Sequence, residues 1–474
     1  MAPLQASTPS NLLYISAPKI YPRTVQGVFA NLRWGFVGLT QLIFYGLPWF
    51  EWANRPAVLF NLEARRFYLF PLVLYPQDFI YLTALLVICA VSLFLFTALA
   101  GRVWCGFACP QTVYSEIFML VERWIEGDRP QRIKLDRSKL NWEVLSKKLF
   151  KHFVWGLIAL WTGLTFVGYF VPIEILLRHV VALNLVGWSL FWVFFYAFAT
   201  YGNAGFMREQ VCKYMCPYAR FQSAMFDADT LVVGYDANRG EPRGHRSKHI
   251  STQMLHDETG LGHCIDCQLC VHVCPTGIDI REGLQYECIG CGACADVCNE
   301  VMKKMSYPIH LIKFASQHAI ENNWGFGKQV RRIFRTRVLI YTALLLSLCF
   351  FVAYHLVHRS TFRVDIVRDR NTLSRLVESQ DHKMILENVY RFQIMNSQES
   401  TQHYEVSSHG IDQLEIETPK HIEIEAAKSK WTVLRVAIPA SQTTPGSHKI
   451  WLDVRCLDDN RVVSEQTVFI VPSL

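Results

Sequence analysis

With 51% hydrophobic and only 18% charged residues in 474, the chain falls below the roughly one quarter charged residues of soluble globular proteins, which argues against an ordinary soluble enzyme and for a membrane protein carrying soluble parts. A formal net charge of +7 would suit nucleic acid, but the Lys and Arg residues gather beside apolar runs, as membrane topology requires, so nucleic acid is not expected as a partner.

The N-terminal tail, 1–33, is polar and has no short apolar region leading to a small-residue cleavage site, so a cleavable signal peptide is not expected. A membrane domain, 34–226, follows with four predominantly apolar stretches: Trp34 to Trp52, Phe79 to Leu99, Phe153 to Val171 and Val180 to Thr200. A fifth, Val338 to Val357, comes much later. Each has about the 20 residues needed to cross a hydrocarbon core, although Gln41, Gly46 and Pro48 interrupt the first. Between the second and third stretches lie Arg102, Arg123, Arg129, Arg132, Lys134, Arg137, Lys139, Lys147, Lys148 and Lys151, whereas the connection after the third holds Arg178. The bias of Lys and Arg toward the cytoplasm puts that segment, the N-terminus and the basic insert from Gly202 to Arg337 inside. Five crossings then place everything after His358 in the periplasm of a bacterial cell, together with the linker Arg55 to Asp78.

The insert divides into a linker, 227–257, a cysteine-rich domain, 258–305, and a basic segment, 306–337. Eight of the fifteen cysteines form two runs, Cys264-x2-Cys267-x2-Cys270-x3-Cys274-Pro275 and Cys288-x2-Cys291-x2-Cys294-x3-Cys298. This is the spacing of a two-cluster ferredoxin, in which the fourth cysteine of each run crosses to the other cluster. One 4Fe-4S cluster is therefore assigned to Cys264, Cys267, Cys270 and Cys298, and the other to Cys288, Cys291, Cys294 and Cys274. Gly290, Gly292 and Ala293 fit loops wrapped tightly around a cubane, and Asn299 departs from the pattern by replacing the second proline. Structural zinc sites rarely repeat this spacing. His263 and His272 lie among the ligands without a slot to fill.

Cys105-x3-Cys109-Pro110 and Cys212-x3-Cys216-Pro217 form a matched pair at the cytoplasmic ends of the second and fourth stretches. An i, i+4 spacing puts two thiols on one face of a helical turn, and proline suits the first turn of a new helix, here Gln111 to Ile125 and Tyr218 to Phe226. Helix N-termini favour the thiolate, and thiolates at a membrane surface are good ligands for Cu(I), with Met207 and Met215 as thioether candidates. Cys105, Cys109, Cys212 and Cys216 are thus the candidate copper and catalytic residues, against the plain alternative of packing. Cys349 and Cys456 are read as packing residues. A C-x-x-C-H haem site, a dinucleotide fingerprint and a Walker loop are all missing from the sequence, so electrons must come from an external donor. After the last stretch, 358–474 alternates apolar and polar residues over Tyr390 to Met395, Gln413 to Glu417, His421 to Ala426, Thr432 to Ile438, His448 to Leu457 and Thr467 to Val471, the pattern of a small β-sandwich.

The two C-x3-C-P motifs, the linker Tyr235-Asp236-Ala237-Asn238-Arg239-Gly240-Glu241-Pro242-Arg243-Gly244, the eight-cysteine insert and the terminal β-domain together resemble the cytochrome c oxidase accessory proteins of the CcoG/FixG/RdxA type. The resemblance spans nearly the whole chain. It implies a multi-domain protein of the bacterial inner membrane, with a five-span α-helical domain, an inserted two-cluster ferredoxin-like α+β domain and an all-β immunoglobulin-like sandwich. It further implies a cupric reductase that supplies Cu(I) during assembly of cbb3-type cytochrome oxidase, with a copper chaperone or transporter, oxidase assembly factors, membrane lipid and a second copy of the chain as expected partners. Two rival readings stand beside it. A quinol-oxidising subunit feeding a periplasmic reductase shares the C-x3-C-P pattern but lacks the large β-domain, and a non-enzymatic assembly scaffold would use clusters and thiols only to hold its fold.

Overall fold

The computed structural model describes residues 19–53, 55–184, 186–246, 260–368, 374–378, 384–416, 421–440 and 444–472. The expected tail up to residue 18, the linker from 247 to 257 and the first two residues of 258–305 lie outside the described residues. Three helices are long and apolar enough to cross a membrane: Phe79–Ala100, Trp142–Gly168 and Thr336–Val357. At 22 residues, Phe79–Ala100 is about 33 Å long and carries no charged side chain, which matches a hydrocarbon core of about 30 Å. Leu86, Phe96, Leu346 and Phe350 on two of these helices are more than 60% exposed on the protein surface, as side chains covered by lipid would be.

The other two expected spans differ from their sequence boundaries. The first helix runs Val28–Gly46 and passes into a 3-10 turn at Leu47–Trp49, so it starts earlier and stops sooner than Trp34 to Trp52. The stretch Val180 to Thr200 is broken: a helix Ile173–Val181 ends at a turn with Leu183 at φ 54° and Gly187 at φ 69°, and a second helix covers Gly187–Gly202 before a π-turn at Asn203–Met207. Apolar composition continues across 180–186, whereas one helix ends at Val181 and the next begins at Gly187. Neither Val28–Gly46 nor Gly187–Gly202 meets the combination of length and hydropathy that marks the other three.

The chain forms two compact units, the first made of Met1–Gly46, Val87–Val167 and Arg178–Leu346. Its helical core centres on Trp155, fully buried, stacked on Phe118 at 5.0 Å and donating its indole N–H to the Phe118 carbonyl at 3.2 Å. Around it lies a buried ion network in which Glu122 meets Arg208 at 2.7 Å and Arg132 at 3.0 Å, and Lys151 meets Glu126 at 2.8 Å. The cysteine-rich domain is part of the same unit. Its helices Leu269–Val273 and Ala293–Lys304 pack together, and an antiparallel pair, Val232–Tyr235 with Ile312–Ala315, extends it on both sides of 258–305.

The second unit comprises Leu47–Leu86, Gly168–Leu177 and Ser347–Leu474. Its sandwich has one sheet ordered Glu415–Ile416, Ser429–Pro439, Met384–Asn396 and Phe362–Arg368, with Arg375–Glu378 also on Met384–Asn396. The other sheet is ordered His421–Ile424, Gln402–His409, Gly446–Cys456 and Val462–Val471. Alternate side chains of both fill the core, among them Phe362, Tyr390, Phe392, Tyr404, Val436, Leu452 and Phe469. The linker Arg55 to Asp78 is itself a three-stranded sheet, Val58–Asn61, Arg66–Leu69 and Leu72–Leu74, and its Leu59, Tyr68, Val73 and Tyr75 share a core with Met395 of the sandwich. Asp78 locks this junction. Its side chain is fully buried and pairs with Arg359 at 2.5 Å and Arg363 at 2.6 Å. Replacing Asp78 with Ala leaves Arg359 buried without its counter-charge, a loss of about 3–5 kcal/mol. The expected result is a lower thermal midpoint in detergent and faster proteolysis within 55–78, with Asp78→Asn intermediate; wild-type behaviour of Asp78→Ala would show the junction to be held by apolar contact alone.

Candidate metal centres

All fifteen cysteines are free thiols. In the ferredoxin-like domain they sort into two sets of four. Burial raises the Cys298 thiol to about 12, and Cys270, Cys264 and Cys267 are near enough to add to that rise. Cys270 is likewise raised to about 12 by burial, with Cys267 and Cys264 contributing. One cavity is lined by all four of these thiols together with Tyr235, Ile265, Met302, Leu311 and Ile312, an apolar recess walled by sulfur as a cubane requires. In the other set, burial pushes Cys288 to about 12, with Cys291 and Cys274 adding, and Cys294 rises well above its usual value by burial, then by Cys291, Cys288 and Cys274. Cys298, the last cysteine of its run, thus lines one cavity with the first three cysteines of the other run. A 4Fe-4S cluster held by these residues would supply one-electron storage, and because they would bind it as thiolates, its uptake would release protons.

The loop glycines also meet close protein neighbours. Gly290 and Gly292 sit at φ 68° and 70°, where a Cβ on Gly292 would lie 2.7 Å from the Phe29 ring and one on Gly290 3.3 Å from the Arg102 backbone. They also let Phe29 and the Arg102 backbone approach closely. Asn299 lies inside helix Ala293–Lys304, where proline would cost a backbone hydrogen bond, and its side chain accepts from the His310 amide at 2.8 Å. His263 packs edge-on against Tyr307 at 5.6 Å.

Each C-x3-C-P motif is a short turn, an extended cysteine and then a helix. Cys105 lies in Val103–Phe107 and Cys109 caps Pro110–Glu126 with φ −62°, ψ 129°. Cys212 lies in a π-turn, Val211–Met215, and Cys216 caps Pro217–Ala224 with φ −80°, ψ 107°. The two thiols of a motif are thus not on one continuous helix, because proline forces the preceding cysteine out of helical conformation. The motifs nevertheless converge. Cys105 interacts with Cys109, Cys212 and Cys216, and Cys212 with Cys109 and Cys216. Burial dominates their ionisation, raising Cys105 to about 12 and Cys212 to about 11. At Cys109 burial also wins over the backbone N–H groups of Gln111 and Thr112 that favour the thiolate. The helix ends therefore do not make these thiols acidic by themselves. Among the described residues no three His, Cys, Asp or Glu side chains converge on a point that could hold one metal ion, in this set or in the two ferredoxin sets.

Several residues around the thiols carried no motif. Gln222, 1% exposed, accepts from the Cys105 thiol at 3.2 Å, and the Thr112 hydroxyl donates to the Cys105 carbonyl at 2.5 Å. Arg102, 4% exposed, donates to the Tyr286 and Cys288 carbonyls and lowers the pKa of Cys105, Cys212 and Cys288 against their burial. Cys105 packs against the buried cluster that includes Ile289 and Cys291, so this thiol lies beside the second ferredoxin set. Met215 is largely exposed, as are Cys89 and Cys349 on their apolar helices, while Cys456 is buried in the sandwich and donates to Gln402 at 3.2 Å.

Comparison with known proteins agrees with this architecture. Residues 207–317 match a family described as a 4Fe-4S dicluster domain, 82–127 a 4Fe-4S binding domain, and 352–472 the IG-like fold at the C-terminus of FixG. The chain is 36% identical to protein RdxA of Cereibacter sphaeroides over 461 residues, 95% of each chain, and 36% identical to protein RdxB of the same organism over 458 residues, 94% of each. It is 38% identical to the nitrogen fixation protein FixG of Rhizobium meliloti over 390 residues, 76% of this chain and 74% of that one. With identity of this level over almost its full length, and with paired 4Fe-4S ligand sets and an Ig-like terminal domain in place, the chain belongs to the FixG/RdxA family of iron-sulfur proteins.

Proposed function

We propose that the protein transfers single electrons at the inner membrane and reduces Cu(II) to Cu(I) for copper insertion during assembly of cbb3-type cytochrome c oxidase. The observation that carries this reading is Cys105, packed against the buried cluster that holds Cys291 while its thiol donates to Gln222 on the helix that Cys216 caps. Copper reduction takes one electron, and soft thiolate surroundings favour Cu(I) over Cu(II). Around the thiols, Arg102 offsets negative charge and Gln222 fixes the Cys105 sulfur, while burial keeps water from competing for the metal. The electron comes from an external reduced carrier. The large terminal β-domain favours an assembly role over a quinol-oxidising subunit, since it offers a docking body for a copper chaperone or for assembly factors.

The cytoplasmic placement of the ferredoxin-like domain rests on the Lys and Arg distribution. It is supported by the sharing of one core between the linker sheet 58–74 and the sandwich, which puts both on one side as that orientation requires. A cytoplasmic-type reporter fused near Asp257 and a periplasmic-type reporter fused after Leu474 are expected to be active; activity of the same reporter type at both positions would overturn the orientation.

For the chemistry, protein reduced anaerobically and freed of reductant by gel filtration is mixed with Cu(II), and Cu(I) is read with a chromogenic chelator. Wild type is expected to produce Cu(I) in step with oxidation of its clusters. Changing all four motif cysteines to Ser lowers the rate about tenfold or more while the ferredoxin-domain clusters persist, and Cys264→Ser or Cys288→Ser removes cluster signal first. A quadruple variant reducing copper at the wild-type rate would move the copper chemistry elsewhere in the chain.

A further inference from the structure

We infer that Cys105, Cys109, Cys212 and Cys216 together ligate a third 4Fe-4S cluster, seated against the ferredoxin pair across the Cys291 loop. The first support is a mismatch. The segment 82–127 matches a 4Fe-4S binding domain, yet its only cysteines are Cys89, Cys105 and Cys109. Cys89 is exposed within Phe79–Ala100, with about 16 Å of helix between it and the helix end, so it cannot join the other two. The segment alone therefore supplies two ligands, and the fold brings the missing two, Cys212 and Cys216, from the second motif.

The second support is the arrangement of the thiols. The Cys105 thiol donates at 3.2 Å to Gln222, which lies on the helix that Cys216 caps, and Cys109, Cys212 and Cys216 are near enough to raise Cys105 further. The local backbone is shared as well. Cys274, a ferredoxin ligand that also ends a C-x3-C-P sequence, follows the short helix Leu269–Val273 and has φ −68°, ψ 121°, close to the values at Cys109 and Cys216.

The third support is charge. Four thiolates in a dry site are less costly around a multiply charged cubane core than around a single monovalent Cu(I), and Arg102 supplies a buried cation beside them. Its Nε and Nη2 are buried with no hydrogen-bond partner among the described residues, donors fit for the sulfur atoms of an anionic cluster. The inference rests on the electron-transfer reading of the protein but not on copper. If it holds, the four thiols are cluster ligands, and copper is reduced beside them as a substrate rather than held among them.

Iron and acid-labile sulfide counted on full-length protein purified without oxygen decide the matter, since each cluster brings four of each. The expected result is about twelve iron and twelve sulfide per chain, falling to about eight in both Cys105→Ser/Cys109→Ser and Cys212→Ser/Cys216→Ser, with loss of one set of electron paramagnetic resonance features. About eight iron in wild type, unchanged in both double variants, would overturn it, and that count needs no variant to fold. Copper reduction measured on the same samples separates the two readings. Wild type with eight iron that still reduces Cu(II) defeats the third cluster and keeps the cupric reductase; twelve iron without Cu(II) reduction does the reverse.

Discussion

The carboxylate of Asp296 ties the ferredoxin-like domain to the first helix. Asp296, two residues beyond Cys294 and 5% exposed, accepts hydrogen bonds from the Phe29 and Ala30 amides at 3.3 and 2.8 Å. Those amides belong to the first turn of Val28–Gly46 and would otherwise be unpaired, so a residue far away in sequence acts as the helix cap. The contact leaves no room for a side chain at Gly27, where an added Cβ would lie 2.3 Å from the Asp296 carboxyl carbon. One turn further on, Arg33 is buried and pairs with Glu116 at 3.3 Å, which ties the same helix to Pro110–Glu126. The cluster helix Ala293–Lys304, the first helix and the helix capped by Cys109 are thereby held in one frame, and the thiol sets inherit their mutual positions from it.

The basic residues that set the topology argument do more than face lipid head groups. Arg132 and Lys151 are both about 5% exposed and are consumed by Glu122 and Glu126, Lys148 and Lys19 share Asp136, and Arg335 and Arg337 share Asp227. Lys151 and Arg208 also lie over the Trp155 ring at 4.9 and 5.6 Å. Buried pairs of this kind contribute little net stability over apolar packing, but each becomes costly when one partner is lost, so they fix which helices may adjoin. The positive segment after Phe79–Ala100 is in this sense structural.

Cysteine spacing alone specifies which thiols can reach a cubane, and the fold sets Cys298 around one cavity with Cys264, Cys267 and Cys270. The strands of the sandwich were legible wherever one face is apolar, as in Ser429–Pro439 and Gly446–Cys456. Phe362–Arg368, Gln402–His409 and the linker sheet 58–74 were missed: polar residues crowd the first two, and the linker strands are three or four residues long. Helix ends were misplaced where a distant group decides them, as Asp296 does at Val28, or where one helix ends and another begins within an apolar run, as at Val181 and Gly187. Arg102, Gln222 and Asp296 had no signal in a single sequence, since their importance lies only in what the fold sets beside them.

The contact between the membrane-edge thiols and the ferredoxin loop is made by backbone. At Gly106 an added Cβ would stand 2.8 Å from the Ile289 carbonyl and 2.9 Å from the Cys291 amide, so the turn between Cys105 and Cys109 rests directly on the loop between Cys288 and Cys291. Arg102 crosses the same junction, bonded to the Cys288 carbonyl while its charge reaches Cys105 and Cys212. A contact of this type cannot lengthen without breaking buried hydrogen bonds, which distinguishes it from a tethered domain that swings between partners. The ferredoxin-like domain is therefore a fixed part of the membrane-edge site, and a donor or an acceptor must come to it.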